Sequence, residues 1–186
     1  MIYWGIIMNL ANKITVFRVF LIPVFLVCSL GNFQNSQYIA AFVFILAAST
    51  DALDGHIARK RNEITDFGKF VDPLADKLLV MAALIVLVEK NKIHSVIVII
   101  ILAREFMVTG LRTLAATKGI VIAASWWGKF KTVTQMLAIV LILLDNFPFS
   151  KLGIPLDRIM LYIATIVTVI SGIDYMAKNI HLFVEK

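Results

Sequence analysis

The chain has 186 residues, 60% of them hydrophobic and 16% charged, with a mean hydropathy of +0.89 and a formal net charge of +6. So large an apolar share excludes an ordinary soluble globular domain. The length leaves room for roughly six crossings of about 20 residues with short connections, hence one membrane domain over residues 1–186. The basic residues gather at the ends of apolar runs, where orientation and anionic headgroups account for them better than nucleic acid does. Cys28 is the single cysteine, which rules out an intrachain disulfide and any thiolate-rich metal site.

In chain order, "MIYWGIIM" (1–8) reads as an amphipathic lead-in: no basic segment precedes it and no small-residue cleavage pattern follows. Six spans are predicted next: Ile14 to Leu30, Tyr38 to Lys60, Asp66 to Val88, His94 to Thr113, Trp126 to Leu144 and Arg158 to Lys178. Apolar runs this long fit helices, and no period-2 pattern of a barrel repeats, so the fold class is an all-α integral membrane protein. Lys13, Arg18, Arg59, Lys60, Arg61, Arg112, Lys118, Lys129, Lys131, Lys178 and Lys186 fall on one side, against Lys90, Lys92, Lys151 and Arg158 on the other. This asymmetry predicts that both termini are cytoplasmic. The uncharged turn "GNFQNSQ" (31–37) suits an external loop, and Trp126 and Trp127 suit interfacial anchors.

Four carboxylates interrupt the hydrocarbon. On span 2, Asp51, Asp54 or Gly55, and Ala58 lie along one helical stripe; on span 3, Gly68, Asp72 and Asp76 recur at i, i+4 and i+8. The short connection between the spans predicts antiparallel neighbours whose acidic stripes face each other. At 1.5 Å rise per residue, Asp51 and Asp54 lie about 8–12 Å from Arg59, and Asp72 and Asp76 about 9–15 Å from Asp66, a common level near the cytoplasmic interface. A carboxylate at a span's centre costs about 2.5–3.5 kcal/mol, so cations are expected among them. Arg59 and Lys69 neutralise part of the charge; converging oxygen donors suit hard divalent ions, Mg²⁺ or Mn²⁺. Two ions about 3.5–4 Å apart are typical of phosphoryl transfer. His56 reads as a polar interface residue. Gly55 and Gly68 each cost about 1 kcal/mol of helix propensity relative to Ala. They mark either the approach of a substrate or tight helix packing.

The stretches "DALDGHIAR", "KRNEITDF" and "GKFVDPLAD" resemble the signature of the CDP-alcohol phosphotransferase family, DxxDGxxAR, eight residues, then GxxxDxxxD, at all eight specified positions. The resemblance implies a six-span membrane enzyme, commonly a homodimer. Such an enzyme transfers a phosphatidyl group from a CDP-lipid to an alcohol and releases CMP. It implies that Asp51, Asp54, Asp72 and Asp76 bind metal, that Asp76 is also the general base, and that Gly55, Arg59, Gly68, Asp51 and Asp54 contact the CDP moiety. The planar guanidinium of Arg59 suits phosphate.

The acceptor alcohol must be read outside that signature. Arg104 and Glu105 lie within span 4, Arg112 near its cytoplasmic end, and "GKFKT" (128–132) opens span 5. Arg104, Arg112, Lys129 and Lys131 form a candidate site for an anionic acceptor such as glycerol 3-phosphate, although residues 129 and 131 point about 200° apart on a helix, so one of them faces away. Arg104 has a second reading, a structural pair with Glu105 or another acid. "NKITVFRVFLIPVF" (12–25), "FGKFVDPLADKLLV" (67–80), "AREFMVTGLR" (103–112) and "GKFKT" resemble bacterial phosphatidylglycerophosphate synthases, which implies CDP-diacylglycerol and glycerol 3-phosphate as substrates. The tryptophan pair in "ASWWGKFK" has no assigned role.

The expected mechanism has Asp76 take the proton of the sn-1 hydroxyl as it attacks the lipid-linked phosphorus, with CMP leaving, at the cytoplasmic face of the inner membrane. A serine, inositol phosphate or phosphatidylglycerol acceptor is the alternative within this reaction class. A divalent-cation transporter would spread its carboxylates about a midplane path with broken helices, and an intramembrane aspartyl protease would leave two aspartates and Arg59 unexplained.

Overall fold

The computed structural model describes residues 10–61, 66–123 and 125–180, with the side chains of 10–11, 51–61, 66–70 and 72–73 left out of the description. Among the described residues six α-helices follow one another: α1 Leu10–Leu30, α2 Ser36–Arg61, α3 Asp66–Glu89, α4 Ser95–Thr117, α5 Trp126–Leu143 and α6 Leu156–Asn179. A 3₁₀ turn, Phe149–Leu152, sits between the last two, and no strand occurs among the described residues. The all-α expectation holds, and each predicted span coincides with a helix. The largest differences are four residues each: α1 begins at Leu10 before the predicted Ile14, and α4 runs past the predicted Thr113 to Thr117. Arg112 does not end the helix. The turn does so at Gly119, whose φ of 71° lets the Ile120 N–H donate back to the Ala115 carbonyl at 2.9 Å.

The helices form two compact units, residues 1–89 and 90–186. In the first, α1 packs on α2 and α3, and α2 packs on α3. Ala40, Ala41 and Ala47 on α2, with Ala75 and Ala83 on α3, are buried, and their small side chains let the helix backbones approach. Phe25 and Phe44 fill the remaining space with tilted rings 5.8 Å apart. Polar residues are buried too: Asn12, Thr15 and Arg18 recur every three residues along α1. Arg18, counted above among the cytoplasmic charges, is 0% exposed and engages a polar partner.

In the second unit α4 and α5 each pack on α6. Contacts from 104 to 171 and from 112 to 175 make α4 and α6 parallel. The connection from α5 to α6 is tied by Asn146, whose Nδ2 donates to the Ile154 carbonyl (2.7 Å) and whose Oδ1 accepts from the Asp157 N–H (3.2 Å). Lys92, in the turn before α4, pairs with Asp145. The start of α5 is capped: the Ser125 hydroxyl accepts from the Gly128 N–H at 3.1 Å, which sets Trp126 as the first helical residue.

Both units turn apolar side chains outward, among them Phe20, Val27 and Phe42 in the first and Ile99, Ile166 and Ile173 in the second. Water would oppose apolar exposure on this scale, whereas hydrocarbon matches it. Asn12–Leu30 and Leu156–Asn179, with mean hydropathies of 2.0 and 1.8, are long and apolar enough to cross a membrane. Ser125→Ala should lower stability by about 0.5–2 kcal/mol through loss of the α5 cap. Thermal unfolding of the detergent-solubilised protein measures this, and an unchanged midpoint would show that the cap contributes nothing.

Candidate active site

The specified positions of the acidic signature all lie in helices. Asp51, Asp54, Gly55 and Arg59 lie in the last turns of α2, and Gly68, Asp72 and Asp76 in the first turns of α3. The two helices pack on each other and are joined by residues 62–65. The side chains of Asp51, Asp54, Gly55, His56, Arg59, Gly68, Lys69 and Asp72 lie outside the described residues. Asp76 is described: half-buried beside Ala75, one turn before the fully buried Leu79, and engaged in a polar interaction. A half-buried carboxylate on a helix that also carries Asp72 one turn earlier supplies hard oxygen donors at i, i+4 spacing, which fits a divalent cation.

Of the four candidate acceptor-site cations in the second unit, two are gathered by one acid. Glu105 Oε1 accepts from Arg104 Nη1 at 3.0 Å and also from the Lys131 ammonium. Arg104 and Lys131 thereby meet from α4 and α5 on one carboxylate. Arg104 Nη2 donates to Ser171 Oγ on α6 at 2.6 Å, so the guanidinium is held by two helices at once. Two glycines face this side chain, Gly172 tightly and Gly128 at ordinary contact distance. A Cβ on Gly172 would stand 3.1 Å from Arg104 Cγ, and one on Gly128 would stand 3.6 Å from Nη2. Lys131 is only 5% exposed, which in an apolar interior requires the paired acid.

The other two predicted cations are placed differently. Arg112 lies two turns beyond Arg104, exposed, with Nε donating to the Tyr175 hydroxyl at 2.9 Å and the guanidinium carbon 5.5 Å from the centre of that ring. Lys129 is exposed while Lys131 is buried, as two residues about 200° apart on one helix must be. Arg104 and Lys131 are thus brought together, Arg112 stands on the same α4–α6 seam nearer its C-terminal end, and Lys129 points elsewhere.

Sequence reading passed over Ser171, Gly172 and Tyr175, which hold the arginines from α6. Their signal was available: Ser171 and Tyr175 are polar residues at i, i+4 in an otherwise apolar span. It also passed over Gln135, buried one turn beyond Lys131.

The model of the CDP-alcohol phosphatidyltransferase family matches residues 8–170, running through both units. The chain belongs to this family. It is similar to a Bacillus subtilis (strain 168) protein named CDP-diacylglycerol–glycerol-3-phosphate 3-phosphatidyltransferase, 45% identical over 183 residues, covering 92% of this chain and 95% of that one. A protein of the same name from Haemophilus influenzae is 40% identical over 90% of this chain and 91% of its own length. A probable phosphatidylglycerophosphate synthase from Mycobacterium tuberculosis is 39% identical over 92% and 82%. The family match ends one residue before Ser171, so the α6 anchor of Arg104 lies just past it.

Glu105→Gln removes the charge that holds two cations side by side and should destabilise the protein by about 1.5–3 kcal/mol. Adding Lys131→Met should recover part of that loss by removing one of the repelling charges. Thermal unfolding of the single and double variants reads both effects; a strictly additive pair would mean that Glu105 and Lys131 do not act together.

Proposed function

We propose that this enzyme transfers the phosphatidyl group of CDP-diacylglycerol to glycerol 3-phosphate, forming phosphatidylglycerophosphate and CMP in phospholipid biosynthesis. The relatives that match nearly the whole chain bear the name of this reaction. The observation that carries the acceptor is the pair of cationic side chains, Arg104 and Lys131, brought together on Glu105 outside the shared aspartate signature. Two cationic donors side by side suit an acceptor that bears a phosphate better than an uncharged alcohol.

Asp51, Asp54, Asp72 and Asp76 would hold two Mg²⁺ or Mn²⁺ ions, and Arg59 would face the pyrophosphate of the CDP moiety beside Gly55 and Gly68. The ions, when bound, neutralise the pyrophosphate and stabilise the charge that develops on the leaving CMP. The chain's own residues do the rest. Arg104 and Lys131 bind the acceptor phosphate, with Arg112 at the mouth of the same seam and Lys129 adding long-range attraction from an exposed position. Asp76 accepts the proton of the sn-1 hydroxyl as its oxygen bonds to the lipid-linked phosphorus; the phosphoanhydride P–O bond breaks and CMP departs. No covalent intermediate on the enzyme is required.

In this reading all six helices cross the cytoplasmic (inner) membrane, both termini and the aspartates face the cytoplasm, and the chain works as one catalytic domain within a homodimer. The outward apolar faces of both units and the parallel course of α4 and α6 support it, since helices separated by an even number of crossings run parallel. At that depth a lipid-linked pyrophosphate meets a water-soluble acceptor.

Purified protein given CDP-diacylglycerol and a panel of alcohols should release CMP with glycerol 3-phosphate and cease on addition of a chelator. Release with serine or inositol phosphate instead would reassign the acceptor. Asp76→Asn should lower kcat by about 10²–10⁴-fold while CDP-lipid binding persists, and turnover near wild type would remove Asp76 as the base.

A further inference from the structure

Gln135 is 3% exposed on α5, and neither its Nε2 nor its Oε1 has a hydrogen-bond partner. Leaving a buried amide unpaired costs about 1–3 kcal/mol for the group, so an orphan of this kind calls for an explanation. Other buried polar side chains of the same unit have found local solutions. Lys131 lies on Glu105, Thr134 donates to the Phe130 and Lys131 carbonyls, Thr168 to the Ala164 carbonyl, and Ser171 accepts from Arg104. Gln135 is the exception.

Its position narrows what would satisfy it. The buried stripe of α5 is polar at first, Lys131, Thr134 and Gln135, and then apolar, Ala138, Ile139, Ile142 and Leu143. Gln135 is the last polar residue before the hydrocarbon interior. It stands one turn from Lys131 on the same face, about 6 Å along the axis. That separation is comparable to the reach of a three-carbon skeleton whose phosphate rests on Lys131. A carboxamide offers an N–H donor and a C=O acceptor side by side, and a hydroxyl both donates and accepts, so the two are complementary.

We propose that Gln135 binds the secondary hydroxyl at C2 of the acceptor, a contact that rests on the glycerol 3-phosphate reading above. Of the acceptor's two hydroxyls, the primary one must stay available to Asp76 and the phosphorus; the secondary one does not react. Holding it fixes the rotation of the C1–C2 bond and presents the primary oxygen for attack. It also makes the pocket selective, because an acceptor phosphate without that hydroxyl leaves the amide unpaired.

The probe is 3-hydroxypropyl phosphate, which is glycerol 3-phosphate lacking the C2 hydroxyl. Wild-type protein with CDP-diacylglycerol should prefer glycerol 3-phosphate by about 10–100-fold in kcat/KM. Gln135→Met keeps the length and removes the hydrogen bonding. It should abolish that preference by lowering kcat/KM for glycerol 3-phosphate alone, with the KM for CDP-diacylglycerol unchanged. Without acceptor this variant should unfold at a higher temperature than wild type, because it removes an unpaired buried amide; a residue with a purely structural role would shift the midpoint down. Gln135→Asn, which withdraws the amide by one methylene, is the second variant and should also lose the preference. Equal loss with both acceptors in the variants, or no preference in the wild type, overturns the assignment. Failure of the wild type to release CMP with either acceptor overturns the parent reading and this one with it. Normal release with unaltered discrimination in the variants overturns Gln135 alone.

Discussion

Hydrocarbon supplies no water to solvate a charge, and Arg18, Arg104, Glu105 and Lys131, buried or half-buried in these helices, each sit where another protein group meets them. Glu105 shows the consequence. One of its oxygens takes both Arg104 and Lys131, which draws α4 and α5 together at that level, and the second guanidinium nitrogen of Arg104 continues the chain to Ser171 on α6. Three helices are registered against one another by charge-assisted hydrogen bonds that water would have weakened. Gly172 belongs to the same constraint, since a Cβ there would crowd the Arg104 stem at 3.1 Å from its Cγ.

The same rule shapes the whole distribution of polarity. Among the described residues, the buried positions hold Asn12, Thr15, Arg18, Lys131, Thr134, Gln135, Thr168 and Ser171 next to apolar side chains, while large apolar residues such as Phe20, Phe42, Ile99 and Ile173 face outward. Helix association of this kind relies on small residues and interior hydrogen bonds more than on burying apolar area. It leaves polar side chains inside at positions where a substrate can use them, and Gln135 is the one in the second unit that the protein has not already used.

Much of this was legible in the chain itself. Six apolar stretches bounded by charges and turns located six helices, because a helix that must satisfy its own backbone in lipid announces itself by length and hydropathy. What the reading did not reach was where a charge is aimed: Arg112 is anchored on Tyr175, and Arg18, within the first predicted span, is buried within α1. A long basic side chain at a span's end and one aimed into the interior look alike in sequence, since the difference lies in which neighbouring helix faces it. The opposite orientations of residues 129 and 131 were readable, because they follow from helical pitch alone.

By itself the sequence determined the family, the helical class and the positions of the aspartates along α2 and α3, since these depend on local spacing and composition. Only the tertiary structure decided which cations converge. Arg104 and Lys131 are 27 residues apart in the chain and Arg104 and Ser171 are 67 apart, yet each pair meets. No periodicity encodes such pairings. They follow from which helix faces lie against each other, and in a membrane interior that choice is made by the charges that must find partners there.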